Sequence, residues 1–231
     1  MNKKVAIIQS SYIPWKGYFD IIGHVDQFVL YDCVQFTKRD WRNRKLIKTP
    51  SGTKWLTVPV KVKGRYDQLI CNTEISDQTW AEKHWNLLYA NYRKSPFYKE
   101  YAKYFEEIYS APPIMLSELN RELIEAICRL IGIETSIVSS LDLNGVGSKT
   151  DRLLSICKTC NADVYVSGPS ARGYLDVEKL NKNGIRVQWF NYDGYPEYHQ
   201  LGDDFDHKVT ILDLIFNCGP FASSKMKFGL R

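Results

Sequence analysis

An apolar opening run that passes at once into a polar and aromatic segment constrains this chain more than any other feature. Val5 to Ile8 is a short apolar run ending in Gln9, Tyr18 to Val25 carries apolar residues at helical spacing, and Gln27 to Tyr31 is apolar and β-branched again. The pattern predicts strand, helix, strand. A βαβ unit of this kind presents the loop after its first strand, Gln9 to Gly17, at the carboxyl edge of a sheet, where ligands bind in open α/β folds. Tyr12, Pro14, Trp15 and Lys16 fall together in that loop. Such a rigid, partly aromatic set lines a pocket better than it turns a chain.

The rest of the chain extends the α/β expectation. Lys54 to Val62 alternates like a half-exposed strand but contains Pro59, which predicts a place at a sheet edge. Trp80 to Tyr92, Pro96 to Tyr109 and Leu116 to Ile131 read as three helices, a helical insertion over 80–131. From Thr135 the rhythm returns: strands at Ser136 to Ser139, Asp163 to Val166 and Ile185 to Phe190, with helices at Ser148 to Cys160 and Asp176 to Asn183 between them. Gly184 marks a helix stop, and Val209 to Phe216 is a final apolar helix. The expected class is α/β, a parallel Rossmann-like sheet with a helical insertion and an edge β segment. With no repeat or linker, the 231 residues read as a single domain.

No apolar run approaches the roughly 20 residues of a membrane span, and the start is too short for a secretory leader, so a cytoplasmic protein without a membrane span is expected. Six irregularly spaced cysteines read as thiols. Cys157 and Cys160 form a CxxC at helical spacing with no second pair and no histidine at zinc spacing, so neither a metal nor a cofactor is expected. The net charge of +5 hides an asymmetry. Between Lys38 and Arg65 ten Lys or Arg face one acid, a net +9, whereas the remainder carries 21 bases and 25 acids, a net −4. A local positive field suits an anionic ligand, whether a diphosphate or a nucleic-acid backbone.

Three groups carry candidate chemistry. The first is Asp32, Gln35, Lys38, Arg39, Trp41, Asn43 and Arg44, which follow the second strand and so share an edge with the Gln9 to Gly17 loop. There Asp32 acts as a base or orients an amine, while Lys38 and Arg44 hold phosphate oxygens, against the blander reading of a solvated basic loop. An indole among arginines favours a site. The second is Val164 to Leu175, where Ser167, Gly168, Ser170, Arg172 and Tyr174 form a strand-to-helix loop whose backbone amides can cradle an oxyanion or phosphate, although it is neither GxxxxGK[ST] nor GxGxxG. The third comprises His84, among tryptophans, and His199, beside Gln200. Either is a candidate general base or a structural histidine.

The succession Gln9, Tyr12, Pro14-Trp15, Gly17-Tyr18-Phe19, Asp32, Val34-Gln35-Phe36, Lys38, Trp41, Asn43-Arg44 and Trp55-Leu56-Thr57-Val58-Pro59-Val60 resembles the WbqC-like protein family. The resemblance runs on through Lys83-His84-Trp85, Tyr165, Ser167-Gly168, Tyr174-Leu175-Asp176 and the Asp213 to Gly219 segment, with Ser10 standing where the family usually has proline. It implies bacterial surface-polysaccharide (O-antigen) biosynthesis, and a transferase joining an aminoacyl or acyl group to the amine of a nucleotide-linked amino sugar. The implied partners are that sugar and an activated donor such as a carrier-protein thioester, coenzyme A ester or acyl phosphate. On this reading Lys38, Arg39 and Arg44 neutralise the diphosphate, Trp41 or Tyr12 packs on a ring, Asp32 or His84 removes the proton, and the Ser167 to Arg172 loop binds the donor. The rivals are a nucleic-acid-binding module using residues 38–65 and a noncatalytic pathway partner. The opening βαβ unit also resembles pantothenate-synthetase-type nucleotidyltransferases, but the HxGH signature of adenylyl transfer is missing.

Overall fold

The computed structural model describes residues 2–202 and 204–228. Among the described residues seven strands run β1 (Lys4–Ile8), β2 (Gln27–Leu30), β3 (Arg44–Thr49), β4 (Gly52–Thr57), β5 (Ser136–Ser139), β6 (Val164–Ser167) and β7 (Arg186–Trp189). Five of them form one parallel sheet in the order β5-β2-β1-β6-β7. The chain winds outward from β1 through β2 to β5, then returns to the other side of β1 for β6 and β7. The order therefore reverses between β1 and β6, and the loops leaving their carboxyl ends diverge to open a crevice.

Both faces of the sheet are covered, and the side-chain period of two assigns each strand's residues to one core or the other. Ala6, Phe28, Leu30, Val164 and Val166 join the larger core, whereas Val5, Ile7, Val29 and Tyr165 join the second. The larger core is built with α1 (Lys16–His24), α2 (Trp80–Tyr92), α3 (Tyr98–Tyr101), α4 (Lys103–Ser110), α5 (Leu116–Ile131) and α8 (Ile211–Cys218). The second core takes α6 (Lys149–Thr159) and α7 (Val177–Lys182). Helix α5 buries Leu116, Leu119, Leu123, Ile124, Ile127 and Ile131, a stripe at 3.6-residue spacing. It stops at Gly132, whose φ of 76° is a left-handed conformation that glycine adopts without a Cβ clash.

Two expected elements differ. Pro96 to Tyr109 is not one helix but α3 and α4, divided at Ala102, where the Phe105 N–H reaches back three residues to the Ala102 carbonyl. Both pieces lay aromatic rings, Tyr98 and Phe105, against Phe216 of α8. The expected edge strand Lys54 to Val62 ends at Thr57 and does not join the main sheet. It pairs antiparallel with β3, Arg44 to Thr57 at one end and Thr49 to Gly52 at the other, as a separate hairpin. Pro59 lies beyond the strand, where its missing N–H costs no ladder bond and its carbonyl accepts from Ser76. No described helix is long and apolar enough to cross a membrane.

Phe216 is fully buried and also meets Tyr92. Phe216→Ala is expected to lower stability by about 3–5 kcal/mol, the usual cost of emptying a buried aromatic site, read from a denaturant midpoint.

Candidate active site at the sheet switch point

The crevice between β1 and β6 is a cleft of ≈ 460 Å³, within the roughly 300–1,000 Å³ of ligand pockets. Its walls come from distant parts of the chain. Ser11 and Trp15 belong to the β1–α1 loop, Tyr18 to α1, Trp41, Arg42 and Lys45 to the root of the hairpin, Ser170 to the turn after β6, and Tyr192, His207 and Lys208 to the segment after β7. Cationic side chains and aromatic rings dominate, and no carboxylate among the described residues lines it.

The loop after β1 is held in an unusual shape. Ile13 has φ of 32°, a strained value for a β-branched residue, yet it is fully buried and its neighbours are tied down. The Ser10 N–H donates to the Asp32 carboxylate at 2.9 Å, Tyr12 N–H to the Trp41 carbonyl at 3.1 Å, and Ile211 N–H to the Pro14 carbonyl at 2.9 Å. Asn120 of α5, wholly buried, gives one amide proton to Ser10 Oγ at 3.1 Å and the other to the Arg42 carbonyl at 2.9 Å. It thus staples the loop of the sheet to the root of the hairpin.

Arg42 is oriented by Ser11 Oγ at 2.8 Å and by Asp40 at 3.7 Å, while its Nε is buried without a partner among the described residues. Lys45 Nζ sits 4.7 Å from the centre of the Trp41 ring. Burial pulls its ammonium down to about 7, against an opposing pull from Asp206. His207 is shifted below the ordinary imidazole value, first by burial and then by repulsion from Lys16, so it is neutral at pH 7. Lys16 itself points away from the cleft to the Pro196 carbonyl, among the rings of Tyr195, Tyr198 and Phe205, and burial lowers it to about 8.

The residues singled out from sequence divide into three groups. Trp15, Trp41 and Ser170 line the cleft, with Gln9 at its edge, where its carbonyl accepts from the Tyr18 hydroxyl. Lys38, Arg39, Asn43 and Arg44 line a second cavity of ≈ 380 Å³ against Phe36 and the 57–62 segment. The others lie elsewhere. Asp32 is buried beneath the β1 loop, its pKa raised by burial and lowered again by Ser10. His84 is buried in α2, where Nδ1 is hydrogen-bonded to the Tyr12 hydroxyl at 2.9 Å and that hydroxyl meets the Tyr109 hydroxyl at 2.5 Å. Burial drives His84 down to about 4, partly opposed by the Thr57 carbonyl.

Gln35 donates to the Tyr66 carbonyl, Arg172 lies over Trp189, and Tyr174 and His199 are exposed. Ser167 is buried at the end of β6, and Gly168 passes so close to Tyr192 that a Cβ there would sit 3.3 Å from its hydroxyl. Gln200 is buried and bonds both the carbonyl and the N–H of Asp206, which pins the segment carrying His207 and Lys208 into the cleft.

Arg42, Lys45, Tyr18, Tyr192, His207 and Lys208 were not legible as one site. Lys45 follows Arg44 in β3 and so faces the other way, a relation visible only once the strand is known. Among the described residues no group of three His, Cys, Asp or Glu is placed to hold a metal ion.

A parallel sheet of this order, with a cationic and aromatic cleft at its switch point, defines a Rossmann-like α/β protein whose cleft lies outside its strand ends. Residues 9–225 match the WbqC-like protein family, and the chain belongs to that family. The Mycobacterium tuberculosis protein named "Uncharacterized protein Rv1507c" is 48% identical over 227 residues, which cover 98% of both chains. No solved structure matches significantly.

The depressed Lys45 pKa has a stability consequence. From about pH 7 to the ordinary lysine value the unfolded chain holds a proton that the folded chain has released, so Lys45 makes stability rise with pH across that window and is most costly below it. Lys45→Met is therefore expected to raise the denaturation midpoint more at pH 6 than at pH 9.

Proposed function

We propose that this protein is a transferase that forms an amide on the amine of a nucleotide-linked amino sugar in bacterial surface-polysaccharide biosynthesis. The reading is supported above all by one observation: Arg42, Lys45 and Lys208 share a carboxylate-free cleft with the rings of Trp15, Tyr18, Trp41 and Tyr192. Diphosphate oxygens need the first set, and a base or sugar ring packs on the second. The N-terminal turn of α1 faces the same crevice and adds its dipole.

Arg42 is the main diphosphate contact. Its buried Nε has an unused proton, and Ser11 and Asp40 hold the guanidinium in a fixed plane. Lys45 takes up a proton when the anion binds, because a nearby negative charge restores the ammonium that burial disfavours. His207, neutral at pH 7, accepts the proton from the attacking amine in place of Asp32 or His84, which lie outside the cleft. Asp32 keeps a positioning role through Ser10. The turn at Gly168 to Ser170 supplies backbone amides to the donor carbonyl.

Calorimetry with a nucleoside-diphosphate amino sugar tests this directly. Arg42→Met is expected to weaken binding by about tenfold or more, since a charge-assisted hydrogen bond contributes about 1.5–3 kcal/mol and each 1.4 kcal/mol is a decade. At pH 8 the wild type takes up a fraction of a proton on binding, seen as a dependence of the measured heat on buffer ionisation, and Lys45→Met abolishes it. No binding of any nucleotide sugar at millimolar concentration, together with no amide product by mass spectrometry with any activated donor, overturns the reading.

A further inference from the structure

The hairpin strand separates two cavities. Arg44 and Lys45 are neighbours on β3, and their side chains enter different spaces: Lys45 the cleft, Arg44 the second cavity of ≈ 380 Å³. That second cavity carries Lys38, Arg39 and Arg44 over a floor that includes Val58 and Val60, and no described carboxylate lines it. Two of its lining residues carry an orphaned polar atom. Asn43 is 7% exposed, its amide nitrogen donates to the Val58 carbonyl at 2.8 Å, and its Oδ1 is buried with no partner among the described residues. Arg44 Nε is buried and unpartnered as well. A buried donor and a buried acceptor left open at one cavity call for a ligand that supplies both complements.

We infer that this second cavity binds the phosphopantetheine arm of the acyl donor, its phosphate on Lys38, Arg39 and Arg44 and an arm amide N–H on Asn43 Oδ1. The inference rests on the transferase reading and names its second substrate. The arm matches the cavity group by group: a phosphate for the cations, a gem-dimethyl carbon for the valine floor, and secondary amides for the free acceptor. A continuous aromatic ridge joins the two spaces. The Arg44 guanidinium lies 4.3 Å from the Trp55 ring centre, and Trp55 lies 5.7 Å from Trp41, which lines the cleft. The thioester end of the arm crosses that ridge to the amine. There the amine nitrogen bonds the acyl carbon as the carbon–sulfur bond breaks, and the amine proton passes to His207 and on to the departing sulfur, which leaves as the thiol.

Calorimetry on the full chain with phosphopantetheine, pantetheine, coenzyme A and a holo acyl carrier protein provides the test, alongside the nucleotide sugar as a separate titration. Phosphopantetheine is expected to bind at least about tenfold more tightly than pantetheine, a difference of about 1.4 kcal/mol for its phosphate. The exposed pair is replaced as Lys38→Ala with Arg39→Asn, asparagine being tolerated at the φ of 58° that residue 39 adopts. The double variant, with an unchanged melting curve, should lose that phosphate preference while keeping its nucleotide-sugar affinity. Tighter binding of coenzyme A than of the carrier protein identifies a free thioester as the source, and the reverse order identifies a carrier; both support the cavity. Equal affinity for pantetheine and phosphopantetheine, an unaffected double variant, or a single-stranded RNA that binds more tightly than every thiol overturns the inference. If phosphopantetheine binds and no nucleotide sugar does, the acceptor reading falls and the second cavity stands.

Discussion

The site depends on one buried asparagine. Asn120 reaches from α5 with both amide protons committed, one to the loop that leaves β1 and one to the residue that starts the hairpin. It joins the Tyr12 N–H bond to the Trp41 carbonyl and the Arg42 bond to Ser11 Oγ in fixing the β1 loop against the hairpin root that carries Arg42. Such a staple is strong because it is dry: Asn120 is fully buried, so breaking either bond would leave a desolvated polar group unpaired.

The same logic accounts for the strain beside it. An isoleucine at positive φ is tolerated only where packing and hydrogen bonds over-determine the backbone, and here Asp32, Trp41 and the α8 N-terminus each hold one part of the loop. Asp32 and His84, the catalytic candidates of the sequence, are both bonded into this frame. Asp32 fixes the loop amide, and His84 with Tyr12 and Tyr109 forms a closed polar chain inside the aromatic core. The groups left facing the cleft are cations, rings and one neutral imidazole.

Charge is distributed with the same economy of position. The +9 segment is not one patch, because the backbone of the hairpin divides five of its ten cations between two cavities, and Lys61 and Arg65 pair with Glu74. The proposed two-substrate reaction would place one anionic partner on each side of β3, with the Trp41–Trp55 pair between them.

The α/β class, all five strands of the main sheet to within a residue at each end, and the helices at Trp80 to Tyr92 and Leu116 to Ile131 were legible locally, because buried strands and amphipathic helices write their period into the chain. That Trp15, Trp41 and Ser170 come to the cleft was legible for a related reason: they follow strand ends, where a parallel sheet opens. The β3 strand was not, since RKLIKT carries too few apolar residues to show an alternation, and the Pro59 that follows its partner strand reads locally as a sheet-edge signal. His207 and Lys208 reach the cleft through Gln200 and the turn it pins, and no periodicity records a contact made from so far along the chain. The sequence by itself determined which elements form and which chemistry is available. Only the tertiary structure decided which cation faces which cavity, because that depends on strand pairing and on hydrogen bonds between residues more than a hundred positions apart.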